Sequence, residues 1–113
     1  MNIGERAEEI AASYLQRKGL ALIETNYRCR WGEIDLVLRD QGIMVFAEVK
    51  LRRSKSFGGT AYSVGPLKQA RIIAAARHYL ARGKEMPCRF DVVLLESLDP
   101  PKIEWIRDAF SAG

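Results

Sequence analysis

The sequence predicts an α/β (α+β) fold: a single mixed β-sheet flanked by helices, with elements in the order α-β-β-β-α-β-β. Three observations predict it. Two segments space their apolar residues as a helix does, five others read as strands, and the second helix interrupts the strands. One sheet with helices covering its faces accommodates that order. At 113 residues and 48% hydrophobic, the chain is expected to form one domain, residues 1–113, with an ordinary core.

The elements follow in order. GERAEEIAASYLQRK (4–18) is rich in Ala and Glu, with Ala11, Ala12 and Leu15 at helical spacing and Gly19 as a stop. ALIETNY (21–27) reads as a short strand. EIDLVLR (33–39) alternates, with Ile34, Leu36 and Leu38 on one face and Glu33, Asp35 and Val37 on the other. DQG (40–42) is a turn, and IMVFAEVKL (43–51) is apolar enough to be the central strand. RRSKSFGG (52–59) is a basic, glycine-bearing loop. Residues 66–82 form the second helix, with Pro66 in its first turn and Gly83 at its end. RFDVVLLE (89–96) is a buried strand, and KIEWI (102–106), after the DPP turn, is an edge strand.

Composition narrows the function classes. A formal charge of +4 and a pI near 9.3 suit nucleic acid or an acidic membrane surface without proving either. Cys29 and Cys88 have no C-x-x-C spacing and no partner histidines, which argues against zinc and for reduced thiols. The opening MNIGERAEEIAA has no apolar signal-peptide core, and no apolar run approaches the ~18 residues of a membrane span. A cytoplasmic protein with no membrane partner is expected.

The charged residues inside the two best strands carry the chemistry. Glu33 and Asp35 share a face of their strand, as do Glu48 and Lys50 of the next. If Arg39 lies opposite Gly42, Glu33 faces Glu48, Asp35 sits diagonal to it, and all four charges project from one face. Opposed carboxylates destabilise a sheet unless something neutralises them. Lys50 is one candidate. A hard divalent cation, which takes carboxylate oxygens, waters and substrate phosphates, is the other. The plainer alternative is a solvated face with weak cross-strand ion pairs. Glu8, on the apolar side of the first helix, either joins the cluster or caps the helix at the edge of its stripe.

Arg52, Arg53 and Lys55 follow the acid-x-Lys strand, and Lys68 and Arg71 share a face early in the second helix. These five are the expected nucleic-acid backbone contacts, with Phe57, Gly58 and Gly59 letting the loop bend around a substrate. His78 reads as structural or exposed. Trp31 and Tyr27, flanking Arg28 and Arg30, could stack on unpaired bases, but Trp31 is expected to pack at the base of the hairpin.

GEIDLV followed by FAEVKLR resembles the YraN family of small bacterial proteins, and the resemblance runs nearly end to end. AEEIAASYLQRKG looks like the family's opening helix, TNYRCRWGEIDLV and VFAEVKLRR like its signature strands. FGGTAYSVGPLKQARI looks like its loop and second helix, RFDVV and IEWIRDAF like its closing segments. Ala47 stands where a valine is commoner. The family is similar in fold to the restriction-endonuclease-like nucleases, with Holliday-junction resolvases as analogues. The resemblance therefore implies that Asp35 and Glu48 hold Mg²⁺ (or Mn²⁺), that Lys50 is the catalytic lysine and that Glu8 is the helical acid. The Val49 carbonyl would be a further ligand; Glu33 has no role in the nuclease motif and is read as an auxiliary ligand or a support behind the ligands of the catalytic set. Asp91 matches a family motif and is expected to serve the core or pair with Arg89. The implied activity is Mg²⁺-dependent cleavage of DNA, branched or otherwise structured, and analogy with junction nucleases implies a homodimer. The alternatives are a nucleic-acid-binding module that keeps the fold with little cleavage, and a protein-interaction adaptor.

Overall fold

The computed structural model describes residues 2–52, 64–83 and 85–112. Helix α1 (Ile3–Arg17) starts where the Asn2 side chain accepts the Glu5 N–H at 2.8 Å, meeting one of the donors a helix N-terminus leaves unpaired. It ends at Gly19, whose φ of 100° suits a residue without Cβ, and the Leu20 N–H returns to the Leu15 carbonyl at 3.1 Å. Its buried face is Ala7, Ala11, Ala12 and Leu15, three of them small enough for the backbone to lie close on the sheet.

The sheet holds β1 (Ala21–Cys29), β2 (Gly32–Asp40), β3 (Ile43–Leu51), β4 (Cys88–Leu98) and β5 (Pro101–Phe110), in that spatial order. Only β3 and β4 run parallel. A parallel pair needs a long crossover, and α2 (Pro66–Leu80) lies within it. The expected order α-β-β-β-α-β-β holds, with β3 central and β5 at an edge. Alternate residues of β3 point to opposite faces. Met44 and Phe46 pack with Ile72, Ala75 and Ala76 of α2, while Val45 and Ala47 pack with Ala11 and Leu15 of α1. The two helices therefore cover opposite faces of one sheet. No described helix is long and apolar enough to cross a membrane.

Three expectations are corrected. The β2–β3 turn is two residues, Gln41 and Gly42, rather than DQG: Asp40 pairs with Ile43, and Gln41 takes φ 58°. A left-handed turn of this length matches the twist of the strands it joins. It moves the register by two residues from the expected one, with Leu36 opposite Ala47. Continued one step, that register puts Asp35, not Glu33, opposite Glu48. An even shift keeps every side chain on its expected face.

Trp31, expected to pack at the hairpin base, is 53% exposed. The β1–β2 loop is so short (Cys29 pairs with Gly32) that Arg30 and Trp31 form the tip and have no core to turn into. Finally, β5 runs well past the expected 102–106. Asp91 Oδ1 accepts the Asp108 N–H at 3.0 Å and holds the far half of the strand to β4, a contact no local pattern announces.

Candidate functional site

The site forms where β2 and β3 part. Their ladder ends at the Leu36–Ala47 pair, and the next donor on β3, the Val49 N–H, is taken by Asp35 Oδ2 at 2.9 Å. Asp35 thus replaces a ladder bond with its own side chain. Burial, and then the charge of Glu48, push its carboxyl up to about 7, against the opposing pull of the Val49 N–H. Two carboxylates share a partly buried space that does not fully answer their charge.

What answers Glu48 is Lys68, whose Nζ lies 3.2 Å from Glu48 Oε2. Burial disfavours the Lys68 ammonium, but Glu48, Asp35 and Glu33 hold its pKa above the ordinary lysine value. Lys68 sits in the first turn of α2, so the helix delivers to the acids a cation expected only to touch nucleic acid. Its separation from Glu48 by twenty positions in the sequence hid that pairing from any reading of local spacing. Lys50, two residues beyond Glu48, joins Glu48, Gly65 and Lys68 in lining a pocket of about 290 Å³.

Glu8 reaches the cluster by its field. Burial and the Asp35 charge raise its carboxyl, while a hydrogen bond from Asn26 lowers it. Asn26 holds φ 53° within β1, a conformation that asparagine tolerates better than most residues, and its part at the site went unnoticed in the sequence. Glu33 is tied up differently: its Oε2 accepts Arg28 Nε at 2.6 Å, across the β1–β2 ladder. Among the described residues, no three histidine, cysteine, aspartate or glutamate side chains converge as a metal cage. The acids that come together are a pair, Asp35 and Glu48, with Glu8 in the field of Asp35 and Glu33 in that of Glu8 and Lys68.

The basic residues divide. Lys68 and Arg71 share a pocket of about 300 Å³ with Arg28, Gly32 and Glu33, next to the acid pair. A Cβ on Gly32 would stand 2.4 Å from the Arg71 carbonyl oxygen, so only glycine lets the hairpin lie this close to α2. Arg52 is engaged elsewhere, 3.6 Å from Glu96 of β4. Arg53, Lys55, Phe57, Gly58 and Gly59 lie outside the described residues. His78 Nδ1 is hydrogen-bonded to the Tyr27 hydroxyl, a structural role as expected. Cys29 and Cys88 are free thiols.

Residues 7–95 match the pattern of a family described as Uncharacterised protein family UPF0102. The chain belongs to the UPF0102 family. Relatives agree over almost the whole length: a UPF0102 protein of Nitrosomonas europaea is 52% identical, covering 96% of this chain and 93% of that protein. One from Methylobacillus flagellatus is 48% identical over 97% of each chain. One from Ralstonia pickettii is 54% identical, covering 95% of this chain and 88% of that protein. UPF0102 membership agrees with the YraN-like motifs read from the sequence.

Proposed function

We propose that this UPF0102 chain is a divalent-cation-dependent endonuclease acting on DNA, branched or otherwise structured. The observation that carries the reading is the Asp35–Glu48 pair on adjacent strands, with Lys50 two residues further on and sharing a pocket with Glu48. The donor set suits Mg²⁺ or Mn²⁺, hard ions commonly bound through one or two carboxylates plus substrate phosphates. Asp35, Glu48 and the Val49 carbonyl would hold the ion, with Glu8 behind them. When bound, it would supply charge stabilisation at the scissile phosphate and a more acidic water. Lys50 would orient that water or stabilise the crowded phosphorus. Lys68 holds the Glu48 carboxylate in place and neutralises it. A homodimer, as in junction nucleases, belongs to the same reading.

A second reading is a nucleic-acid-binding module with little cleavage. It is favoured by the Lys68–Glu48 ion pair, which occupies a ligand oxygen, and by the two-acid donor set among the described residues. One experiment separates them. Mg²⁺ or Mn²⁺ is titrated by calorimetry into wild type and into the Asp35→Asn, Glu48→Gln double variant. Forked and four-way DNA are then offered to wild type and Lys50→Ala. The nuclease reading expects metal binding to vanish in the double variant, and Lys50→Ala to cut at least about 100-fold more slowly with DNA binding retained. Unchanged cleavage by Lys50→Ala overturns its assigned role, and DNA binding without cleavage by wild type supports the second reading.

A further inference from the structure

The tip of the β1–β2 hairpin combines features that the acid pair does not explain. Trp31 is a large aromatic side chain held in water. Single exposed apolar residues are common and need no explanation. Trp31 differs from the exposed Ile3 and Leu67 in what surrounds it. The Arg30 guanidinium lies 4.8 Å from the indole centroid, a cation–π distance. Gly32, next to Trp31, and Arg28, three residues before it, wall the 300 Å³ pocket that also takes Lys68 and Arg71. Arg28 and Lys68 are paired with Glu33 and Glu48, whereas Arg71 makes no ion pair among the described residues. The tip is also braced, because the Gly32 backbone lies against the Arg71 carbonyl and cannot settle further.

We infer that this tip reads unpaired nucleotides: a base stacks on the Trp31 indole while its phosphate enters the adjacent pocket and meets Arg71. An indole can take a base face only where that face is uncovered, which a continuous duplex does not offer. A braced aromatic beside a basic pocket selects DNA where a strand leaves the duplex, and presents that boundary to the acid pair. This rests on the nuclease reading and adds the substrate feature recognised.

The test is binding in EDTA, where cleavage cannot contribute. Fluorescein-labelled single-stranded, forked and fully duplex DNA of equal length are titrated with wild type, Trp31→Ala, Trp31→Phe and Arg71→Ala, each checked by far-UV circular dichroism. Wild type is expected to prefer forked and single-stranded DNA. Trp31→Ala should weaken binding to those two by about 10-fold and leave the duplex within about twofold, with Trp31→Phe recovering most of the loss. Arg71→Ala should weaken all three and lower the slope of log affinity against log salt by about one. No loss in Trp31→Ala, or an equal loss on fork and duplex, overturns the inference. If wild type then still cleaves DNA with Mg²⁺ in a Lys50-dependent way, only the tip's role has failed. If it binds no DNA in EDTA and cuts none with Mg²⁺, both readings fail.

Discussion

Two aspartates on the same sheet meet burial in opposite ways. Asp91 of β4 is 0% exposed and is surrounded by donors. Its carboxylate accepts Arg89 Nε at 3.0 Å, Trp105 Nε1 at 3.0 Å and the Asp108 N–H at 3.0 Å. Arg89 in turn reaches Asp40 at 3.0 Å, and although burial works against its charge, Asp91 and Asp40 hold its pKa above the ordinary arginine value. Asp35 of β2 receives one backbone N–H and lies beside another carboxylate. A buried charge with a full set of partners holds the fold together, whereas an under-answered one marks a candidate functional site. Asp91 knits β5 to β4, and Asp35 occupies the gap where a ladder has stopped.

The sharpest way to break this comparison is to remove Asp91. Asp91→Ala takes one of its two carboxylate partners from Arg89 and leaves the Trp105 and Asp108 N–H donors unmet, and the expected cost is about 3–5 kcal/mol, read from the urea midpoint at constant m-value. A loss under about 1 kcal/mol would mean Asp91 is no more structural than Asp35.

Asp35 should behave in the opposite sense. Its native pKa of about 7 lies above the ordinary 3.8, so between those values the native state binds more protons than the unfolded state. Stability is then fully present below the unfolded value and is lost as pH rises through about 7. In metal-free protein at pH 8, Asp35→Asn is therefore expected to be more stable than wild type, on the order of 1–3 kcal/mol, with the two converging near pH 4. Urea melts across that range decide it, and a variant less stable than wild type at pH 8 would show that the Asp35 charge is satisfied after all.

The smallest effect is expected at Glu33, whose partner Arg28 has a side chain 75% exposed. Glu33→Gln should change stability by less than about 1 kcal/mol. Because it removes a negative charge from the basic pocket, it should also tighten DNA binding at low salt by a few-fold. A large destabilisation would place Glu33 with Asp91 rather than with the site.

Helical spacing, strand alternation and, for β3 and β4, nearly unbroken apolar runs were enough to find all seven elements, because each signal lies within its own segment. They placed β3 to the residue, at Ile43–Leu51. The acid-x-Lys strand and the acid on the strand before it were legible for the same reason: charge inside an apolar strand stands out locally. Contacts made across the chain were not. The Glu48–Lys68 pair joins β3 to α2, Asp91 reaches seventeen residues on to Asp108, and Asn26 reaches back to Glu8.

By itself, then, the sequence determined the order of elements, the central strand and the common face of Glu48 and Lys50 on it, since all of these follow from patterns along one strand or helix. Only the tertiary structure decided which carboxylate stands beside which, which lysine answers them, and that Trp31 remains in water. Each of those depends on a two-residue turn setting the register and on a helix brought close by a glycine, and the energies involved belong to pairs of residues that meet only once the chain has folded.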